Sequence, residues 1–504
     1  MYNNSQVLKD ITSSVPNHQS AWEDMISDLT RKGSSFSSQE LRDSKPNGAV
    51  KTILANWEKF KGKSDLFIKS NLVIQEPILS KYKEKSKQSA KEYCENIWQH
   101  LNRGIDKSKW SGSRIALPKP YYVSSETAQD VTYWESYFTI LGLVAAQKKQ
   151  AAIDMVDNFA YLLEKFGLIP SQSRYYSLSS SQPPYFSLMV AVIVNKGWAN
   201  WSDYALALRR EYQFWMEGAD VEAADGFAYR RVVKVKGYVL NRYWDDKSDK
   251  KHRILEHHSD LLDVAKKSGI SDEDIIEHLC SASESGWDVS SRWMSKPLDS
   301  SSIKTAHIIP IELNALLSHL EFALGRAFPA EKNQWSARVR ERRSALNTLF
   351  WNGETYTDID LDGMGRSEHL SAAMFYPLWI GAPGVKQVDR VLEILEVNYL
   401  TKGGVVTSLS DTGQEWDFPN VSPSIQWACI VGAHRYGNIV LANKIAQSFV
   451  HNCDMFFEKN KNFLKTYNSD INNNSNDTSE QGYACSIGVY LGCIEFIETG
   501  NIIG

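Results

Sequence analysis

The residues best suited to chemistry lie in one short stretch, Glu284-Ser-Gly-Trp-Asp-Val-Ser-Ser-Arg-Trp-Met294. It places the carboxyl group of Asp288 between two indoles, those of Trp287 and Trp293. Aromatic walls desolvate a carboxylate and raise its pKa, which suits the group to proton donation. The flat indole faces also suit the apolar face of a sugar ring. A packed bend that contains a hydrogen-bonded aspartate is the alternative, and the residue types alone leave both interpretations open.

The same stretch resembles the catalytic-acid segment of trehalases, glycoside hydrolase family 37. In that family the aspartate of the motif is the general acid, so the resemblance assigns this role to Asp288. Other segments resemble family signatures in the same order, between Ser89 and Leu491. The resemblance implies an all-α fold, an (α/α)6 toroid of the six-hairpin glycosidase type. It also implies a trehalase-like glycoside hydrolase that acts on trehalose or a related glycoside with inversion.

Further candidate residues come from other segments that resemble the family. Tyr133-Trp-Glu-Ser-Tyr-Phe-Thr-Ile-Leu-Gly-Leu143 is similar to the first trehalase signature, and Gly413-Gln-Glu-Trp-Asp-Phe-Pro-Asn420 to the second. Ser179-Ser-Ser-Gln-Pro-Pro184 resembles another turn of the family. A role in the scaffold is equally open for several of these positions. The substrate-binding residues that the resemblance implies are Trp134, Glu135, Arg174, Gln182, Trp287, Trp416 and Asp417.

Several positions depart from the family pattern. Thr127 and Ala128 stand where the family has a sugar-binding arginine and phenylalanine, and Ser173 and Ser180 replace an asparagine and an arginine. Lys465 stands at the position of the glutamate that serves as catalytic base. An inverting glycosidase needs a base roughly 6.5–9.5 Å from the acid to activate water. A lysine ammonium accepts a proton only when its pKa is strongly lowered.

The missing base leaves three interpretations open. In the first, a relocated carboxylate activates water, and trehalose hydrolysis is very slow or absent. In the second, a divergent enzyme uses Asp288 as an acid on a different substrate, sugar or not. In the third, the protein is a non-catalytic binding or regulatory homologue. The nearby carboxylates that could replace the base are Glu458, Asp470 and Glu480.

Helical periodicity predicts the elements that hold these residues in place. Apolar residues recur at helical spacing from Ala90 to Ile497, whereas strand-like alternation is confined to short runs such as Val232–Val239. This pattern predicts an all-α domain. No repeat period supports the alternative of an α-solenoid. The polar segment Asn468–Asn476 predicts a flexible surface loop or a mobile cover over the cleft.

The chain divides by composition into two parts. Residues 1–88 are expected to form a polar N-terminal arm and helical extension, with one short helix near Ala21–Leu29. Residues 89–504 are expected to form the (α/α)6 catalytic domain.

Composition excludes several classes of function. The 56 basic and 60 acidic residues give a net charge of −4, which argues against a nucleic-acid partner. The six cysteines form no Cys-x-x-Cys pair, so neither a metal nor another cofactor is expected. No apolar run of about 18 residues and no secretory signal is present, so no membrane partner is expected. The sequence therefore predicts a cytoplasmic monomer that binds a small molecule, a disaccharide or other compound, in the cleft of the toroid.

Overall fold

The computed structural model describes residues 18–74, 88–105, 112–126, 128–245, 261, 269–474 and 483–504. Thr127, Glu480 and the last two residues of the predicted loop 468–476 lie outside these residues. The α-helices are α1 (Gln19–Arg31), α2 (Ser38–Asp43), α3 (Val50–Lys59), α4 (Ser64–Asn71), α5 (Ala90–Asn96), α6 (Trp98–Leu101), α7 (Ser136–Ala145), α8 (Lys149–Phe166), α9 (Phe186–Asn195), α10 (Ala205–Trp215), α11 (Asp272–Ser285), α12 (Ile311–Ala327), α13 (Lys332–Ala345), α14 (Tyr376–Ile380), α15 (Val385–Ile394), α16 (Pro423–Arg435), α17 (Ile439–Asn460) and α18 (Ala484–Thr499).

Six of the described helices form a closed inner ring. Helices α7, α9, α12, α14, α16 and α18 contact one another in this order, and α18 packs against α7 to close the ring. These helices are apolar nearly all round: in α7, every residue from Ser136 to Val144 is buried. A helix without a polar face must be enclosed by other elements, which explains its place in the inner ring.

The outer layer consists of helices that bury only one face. Helix α15, for example, buries Val388, Val391 and Leu392 and leaves its other face to solvent. Helices α5, α8, α10, α13 and α17 lie in the same layer, each against one or more inner helices. Inner and outer helices alternate along the chain, which is the arrangement of an (α/α)6 toroid. The all-α fold class predicted from the sequence is confirmed.

The strands are short and lie in the connections between helices. They form six small antiparallel sheets within the described residues. The most extended pair joins β6 and β7, with Val232 opposite Asn241, at the place where the sequence showed strand-like alternation. The strands are β1 (Lys45–Pro46), β2 (Leu72–Val73), β3 (Asn102–Arg103), β4 (Tyr121–Tyr122), β5 (Ala228–Tyr229), β6 (Val232–Val235), β7 (Tyr238–Asn241), β8 (Ile308–Ile309), β9 (Ile359–Asp360), β10 (Gly365–Arg366), β11 (Leu400–Thr401), β12 (Gly404–Val405), β13 (Asn420–Val421) and β14 (Tyr467–Asn468).

The inner helices run in the same direction, because each is followed by an outer helix that returns along it. Their N-terminal ends therefore meet at one end of the ring. Glu135 directly precedes α7, Gln182 lies shortly before α9, Asp417 before α16, and Tyr483 directly before α18. The fold thus brings most of the candidate residues to a common end.

The N-terminal part is more structured than the sequence predicted. Helices α1 to α4 enclose a small core of their own, which includes Trp22, Met25 and Leu29. The sequence predicted a helix near α1 and a helical extension that includes most of α3 and all of α4, but not the short helix α2 or the core that the four helices share. The division of the chain at residues 88 and 89 remains a prediction. None of the described helices is both long and apolar enough to cross a bilayer.

Closure of the ring depends on two glycines where α7 and α18 cross. A Cβ atom at Gly488 would lie 1.9 Å from the carbonyl oxygen of Phe138, and one at Gly142 would lie 2.6 Å from the Cα of Gly488. No alanine fits between two backbones at these distances, so glycine is required for the helices to touch.

We expect Gly488→Ala to lower the free energy of unfolding by about 1–3 kcal/mol or more, because the methyl group forces the helices apart. In an exposed helix the same substitution stabilises by about 1 kcal/mol, so the sign is diagnostic. Urea unfolding followed by circular dichroism measures the effect. Gly325→Ala is the control, since a Cβ there comes no closer than 3.3 Å to the Cβ of Trp335. An equal loss in both variants would contradict the explanation.

Candidate active site

Asp288 is an exposed residue in a buried segment. Residues 284–294, called here the acid segment, follow the end of α11, and both neighbours of Asp288, Trp287 and Val289, are buried. The φ angle of Asp288 is +45°, in the left-handed region, which aspartate tolerates better than most residues. Such conformations are concentrated at functional sites. This conformation presents a carboxyl group to solvent from an otherwise enclosed chain.

The surroundings of Asp288 raise its pKa to about 6. The largest cause is desolvation, because the surrounding protein displaces much of the water around the carboxyl group. The residue nevertheless remains accessible to solvent. The positive charge of Lys465 opposes this rise, and the negative charges of Glu415 and Glu135 add to it. A carboxyl group that titrates near neutral pH is suited to general acid catalysis.

The buried carboxylate of Asp417 anchors the middle of the acid segment. It accepts hydrogen bonds from Ser290 Oγ at 3.0 Å, from Ser291 N at 2.8 Å and from Ser291 Oγ at 2.7 Å. Ser408 Oγ at 2.9 Å and Thr412 Oγ1 at 2.5 Å donate to it as well. Asp417 was a candidate substrate-binding residue, and the structure places its oxygens among five donors of the protein itself. We therefore propose that it positions the acid segment.

Arg292 anchors the segment beyond Asp288. Its guanidinium is fully enclosed and forms ion pairs with Glu312, in the first turn of α12, and with Asp358, with Nε and Oδ2 2.7 Å apart. It also lies 4.6 Å from the ring centre of Trp287 and 4.2 Å from that of Trp293. Breaking such a buried pair leaves an uncompensated charge, so this contact ties the segment firmly to the inner ring.

Glu284 anchors the segment before Asp288. Its buried carboxylate accepts hydrogen bonds from Ser181 N at 3.0 Å, Arg231 Nη2 at 2.8 Å and Trp244 N at 2.6 Å. Burial nevertheless raises its pKa to about 7, against the effect of the arginine and the amides. Glu284 is therefore enclosed by protein and separate from the solvent that Asp288 meets.

Indoles form one side of the site, in a different arrangement from the one predicted. Trp287 stacks on Trp416 with ring centres 4.7 Å apart and an angle of 17°, and Trp134 lies 6.0 Å from Trp416. All three are largely buried. Trp293 is fully buried and is not a second wall, because the 3-10 turn Ser291–Trp293 carries it into the core.

Glycine at position 286 makes this packing possible. Gly286 ends α11 with a φ of +71°, and a Cβ there would come within 2.6 Å of Trp134 Nε1. A larger residue would strain the turn and displace the indole. The glycine of the acid segment is thus required for two reasons, the end of α11 and the close contact with Trp134.

Lys465 and Glu415 form an ion pair at the place where the resemblance put the base. Lys465 Nζ lies 2.9 Å from Glu415 Oε1, and Thr466 Oγ1 donates to the same oxygen at 3.2 Å. Burial lowers the pKa of Lys465, but Glu415 and Glu135 outweigh this effect and hold it above its usual value. Lys465 therefore stays protonated and has no capacity to act as a base. Sequence reasoning missed Glu415, although it precedes Trp416 in the second signature.

Glu135 is the other acidic group that acts on Asp288. It is half-buried at the start of α7, and Tyr483 donates a hydrogen bond to its Oε1 at 2.6 Å. Two carboxylates considered as replacements for the base lie elsewhere: Glu458 is exposed on the outer helix α17, and Asp470 binds the amides of its own loop.

The remaining candidates, Arg174 and Gln182, contact the protein itself. Arg174 is fully buried, with Nε 2.7 Å from Asp130 and Nη2 3.1 Å from Asp43 in the N-terminal part. The structure does not bring it to Asp288. Gln182 Oε1 accepts a hydrogen bond from Trp134 N at 3.4 Å, beside the indoles. Within the described ranges, no cluster of His, Cys, Asp and Glu is arranged to hold a metal ion.

Comparisons with known proteins bear on the family and the fold. The family model described as "Trehalase" matches residues 22–497. Among solved structures, neutral trehalase Nth1 from Saccharomyces cerevisiae is similar with a TM-score of 0.60 and 20% identity, over 76% of this chain and 74% of that one. The mannosylglycerate hydrolase of glycoside hydrolase family 63 from Thermus thermophilus, in complex with glucose, matches with a TM-score of 0.51 and 15% identity, over 79% and 98%. At these identities the likeness shows the fold.

We expect Asp417→Ala to lower the free energy of unfolding by about 3 kcal/mol or more, because five donors lose a charged acceptor. Asp411→Ala is the matched control: this aspartate is exposed six residues away, and its loss should change stability by about 0.5 kcal/mol or less. Chemical unfolding of both variants gives the comparison. Equal stability of the two variants would show that the carboxylate is not the anchor described.

Proposed function

The chain belongs to the trehalase family, and we propose that it is an inverting glycoside hydrolase in which Asp288 is the general acid. The observation that carries this proposal is the carboxyl group itself. It is accessible to solvent, has a pKa of about 6 and is held by a segment anchored on both sides. The substrate we propose is a glycoside related to trehalose, with trehalose itself a poor one.

In the proposed reaction, Asp288 donates its proton to the glycosidic oxygen as the bond to the anomeric carbon breaks. The leaving sugar departs as an alcohol. A water molecule attacks the anomeric carbon from the opposite face and gives a proton to a base, so the product has inverted configuration. Asp288 recovers a proton from solvent before the next turnover.

Glu135 is the base we propose. Of the two carboxylates that act on Asp288, Glu415 holds Lys465 and Thr466 with its oxygens. Glu135 has one such contact, from Tyr483 to Oε1, and among the described residues its Oε2 has no hydrogen-bond partner. An oxygen without a protein donor is available to a nucleophilic water. The proposal requires a distance to Asp288 in the range of inverting enzymes, roughly 6.5–9.5 Å.

One observation favours a second candidate, a sugar-binding homologue without catalysis. The Lys465–Glu415 pair lies at the position of the family's base and fills it with a protonated lysine. If Glu135 does not act on water, the protein would bind a sugar and leave it intact. Binding of trehalose or glucose in calorimetry, together with no turnover of any glycoside, would favour this candidate.

The direct test is a hydrolysis screen on α-linked glucosides, with wild type compared to Asp288→Asn and Glu135→Gln. We expect both variants to fold normally and to lose about 10²–10⁴-fold in kcat, because each removes one proton transfer. For the wild type, kcat should fall as pH rises through about 6, since the acid must carry its proton. Proton NMR of the first product formed should show inverted configuration.

Glu458→Gln serves as the control, since this carboxylate is exposed on the outer layer. Full activity of Asp288→Asn would refute the role of the acid, and full activity of Glu135→Gln would refute that of the base. A retained configuration would exclude the inverting route altogether.

Trehalose should be hydrolysed far more slowly than about 1–10³ per second, the usual range for enzymes. Arginines that bind sugar in the family are replaced at Thr127 and Ser180, and each lost charged hydrogen bond costs about 1.5–3 kcal/mol. Lys465→Glu alone should not restore the rate, because it supplies no arginine and leaves Glu415 beside a second carboxylate. A coupled glucose assay measures both proteins. Trehalose turnover at ordinary rates by the wild type would contradict this expectation.

A further inference from the structure

A second cavity, of about 300 Å³, lies at the end of the ring opposite Asp288. Its wall includes the last residues of several inner helices, among them Asn195 of α9, Ile380 of α14 and Arg435 of α16. Asn195 and Arg435 are exposed, so the cavity opens to solvent. Because the inner helices are parallel, this is the C-terminal end of the ring.

A column of aromatic rings separates this cavity from the catalytic end. Trp134, which packs against Trp416, lies 5.9 Å from Tyr185, and Tyr185 lies 5.9 Å from Trp379. Tyr137 packs 5.6 Å from Trp379, and these two residues line the second cavity. The axis of the toroid is therefore filled, and the two ends are distinct sites.

Basic side chains line the second cavity. Arg326, Arg343 and Arg435 line it, and its described lining contains no aspartate or glutamate. His319 also lines the cavity. Burial lowers the pKa of His319 to about 3, and the positive charges of Arg435 and Arg343 contribute to this shift. Arg343 donates from Nη2 to the carbonyl oxygen of Ile380 at 2.9 Å, while its buried Nε has no hydrogen-bond partner.

Helix dipoles account for part of this charge. The C-terminal end of a helix carries roughly half a negative charge, so cations in the last turn are stabilised there. Four helix ends at the cavity, those of α9, α12, α14 and α16, would offset about two positive charges. Arg326 lies in the last turn of α12 and Arg435 in that of α16, so these two cations are stabilised by helix ends. The third arginine, Arg343, comes from the outer helix α13. Arg343 is thus not one of the cations that the helix ends at the cavity hold.

We propose that this cavity binds a small phosphorylated molecule, with its phosphate on the three arginines. A planar guanidinium binds two phosphate oxygens at once, and an unpaired Nε supplies a further donor. Trp201 and Phe322, which are exposed in part, provide apolar surfaces for the rest of the molecule. The volume is at the lower end of the range for small-molecule pockets, which fits a compound the size of a monosaccharide phosphate.

Isothermal titration calorimetry of the full chain tests the proposal, with glucose 6-phosphate, glucose and inorganic phosphate as separate probes. We expect glucose 6-phosphate to bind at least about tenfold more tightly than either of the other two. Arg435→Gln and Arg326→Gln should each weaken binding by about tenfold or more, since each removes a charged contact. Arg340→Gln, at an exposed position of α13, should leave it unchanged.

Thermal unfolding of every variant shows whether it is folded, and the two cavity variants serve as checks on each other. No binding of glucose 6-phosphate, or equal binding by the wild type and both cavity variants, would overturn the proposal. Equal affinity for inorganic phosphate would overturn the role given to the aromatic surfaces. The assay does not depend on catalysis, so its result is independent of the activity of Asp288.

Discussion

The carboxylate of Asp417 holds together the end of the ring at which Asp288 lies. Five donors converge on it, and those of Ser290 and Ser291 begin only two residues after Asp288. A non-glycine residue in the left-handed region costs about 1–3 kcal/mol and persists only where its surroundings impose it. Hydrogen bonds to a charged group are strong enough to offset that cost. The Asp288 carboxyl group is thus exposed because the hydrogen bonds of the buried Asp417 carboxylate fix the residues that follow Asp288.

The contrast between buried and exposed charged groups also explains which parts of the sequence follow the family pattern. Glu284, Arg292 and Asp417 are buried, and each is bound to several specific partners. Replacement of any of them leaves a buried charge or donor unpaired, which is costly. Lys465 is partly exposed, and it forms its ion pair with a single side chain, that of Glu415. Residues that meet solvent in the cleft can therefore differ while the segment that carries the acid stays the same.

Sequence reasoning succeeded where a pattern is local and was incomplete where partners are distant. The apolar inner helices and the acid segment were recognisable, because helical period and motif lie within a few residues. Arg174 matched a family motif, but its contact with Asp43 joins segments 131 residues apart and is invisible in the sequence. The Lys465–Glu415 pair and the closure of α18 on α7 likewise depend on the folded chain. Helices were predicted in the N-terminal part, but the small core that they enclose was missed, because its few apolar residues are spread among polar ones.

Parallel inner helices give the toroid two ends of opposite electrostatic character. Negative charge is favoured at the N-terminal ends, where Glu135 begins α7, and positive charge at the C-terminal ends, where the arginines lie. Asp288 lies at the first of these ends, but the nearest helix terminus in the chain is of the opposite kind. It comes two residues after Gly286, which caps the C-terminal end of α11, so the dipole of that helix disfavours its ionised form. Opposite helix ends therefore meet in one cleft, and the end of α11 favours the protonated form that the proposed role of Asp288 requires.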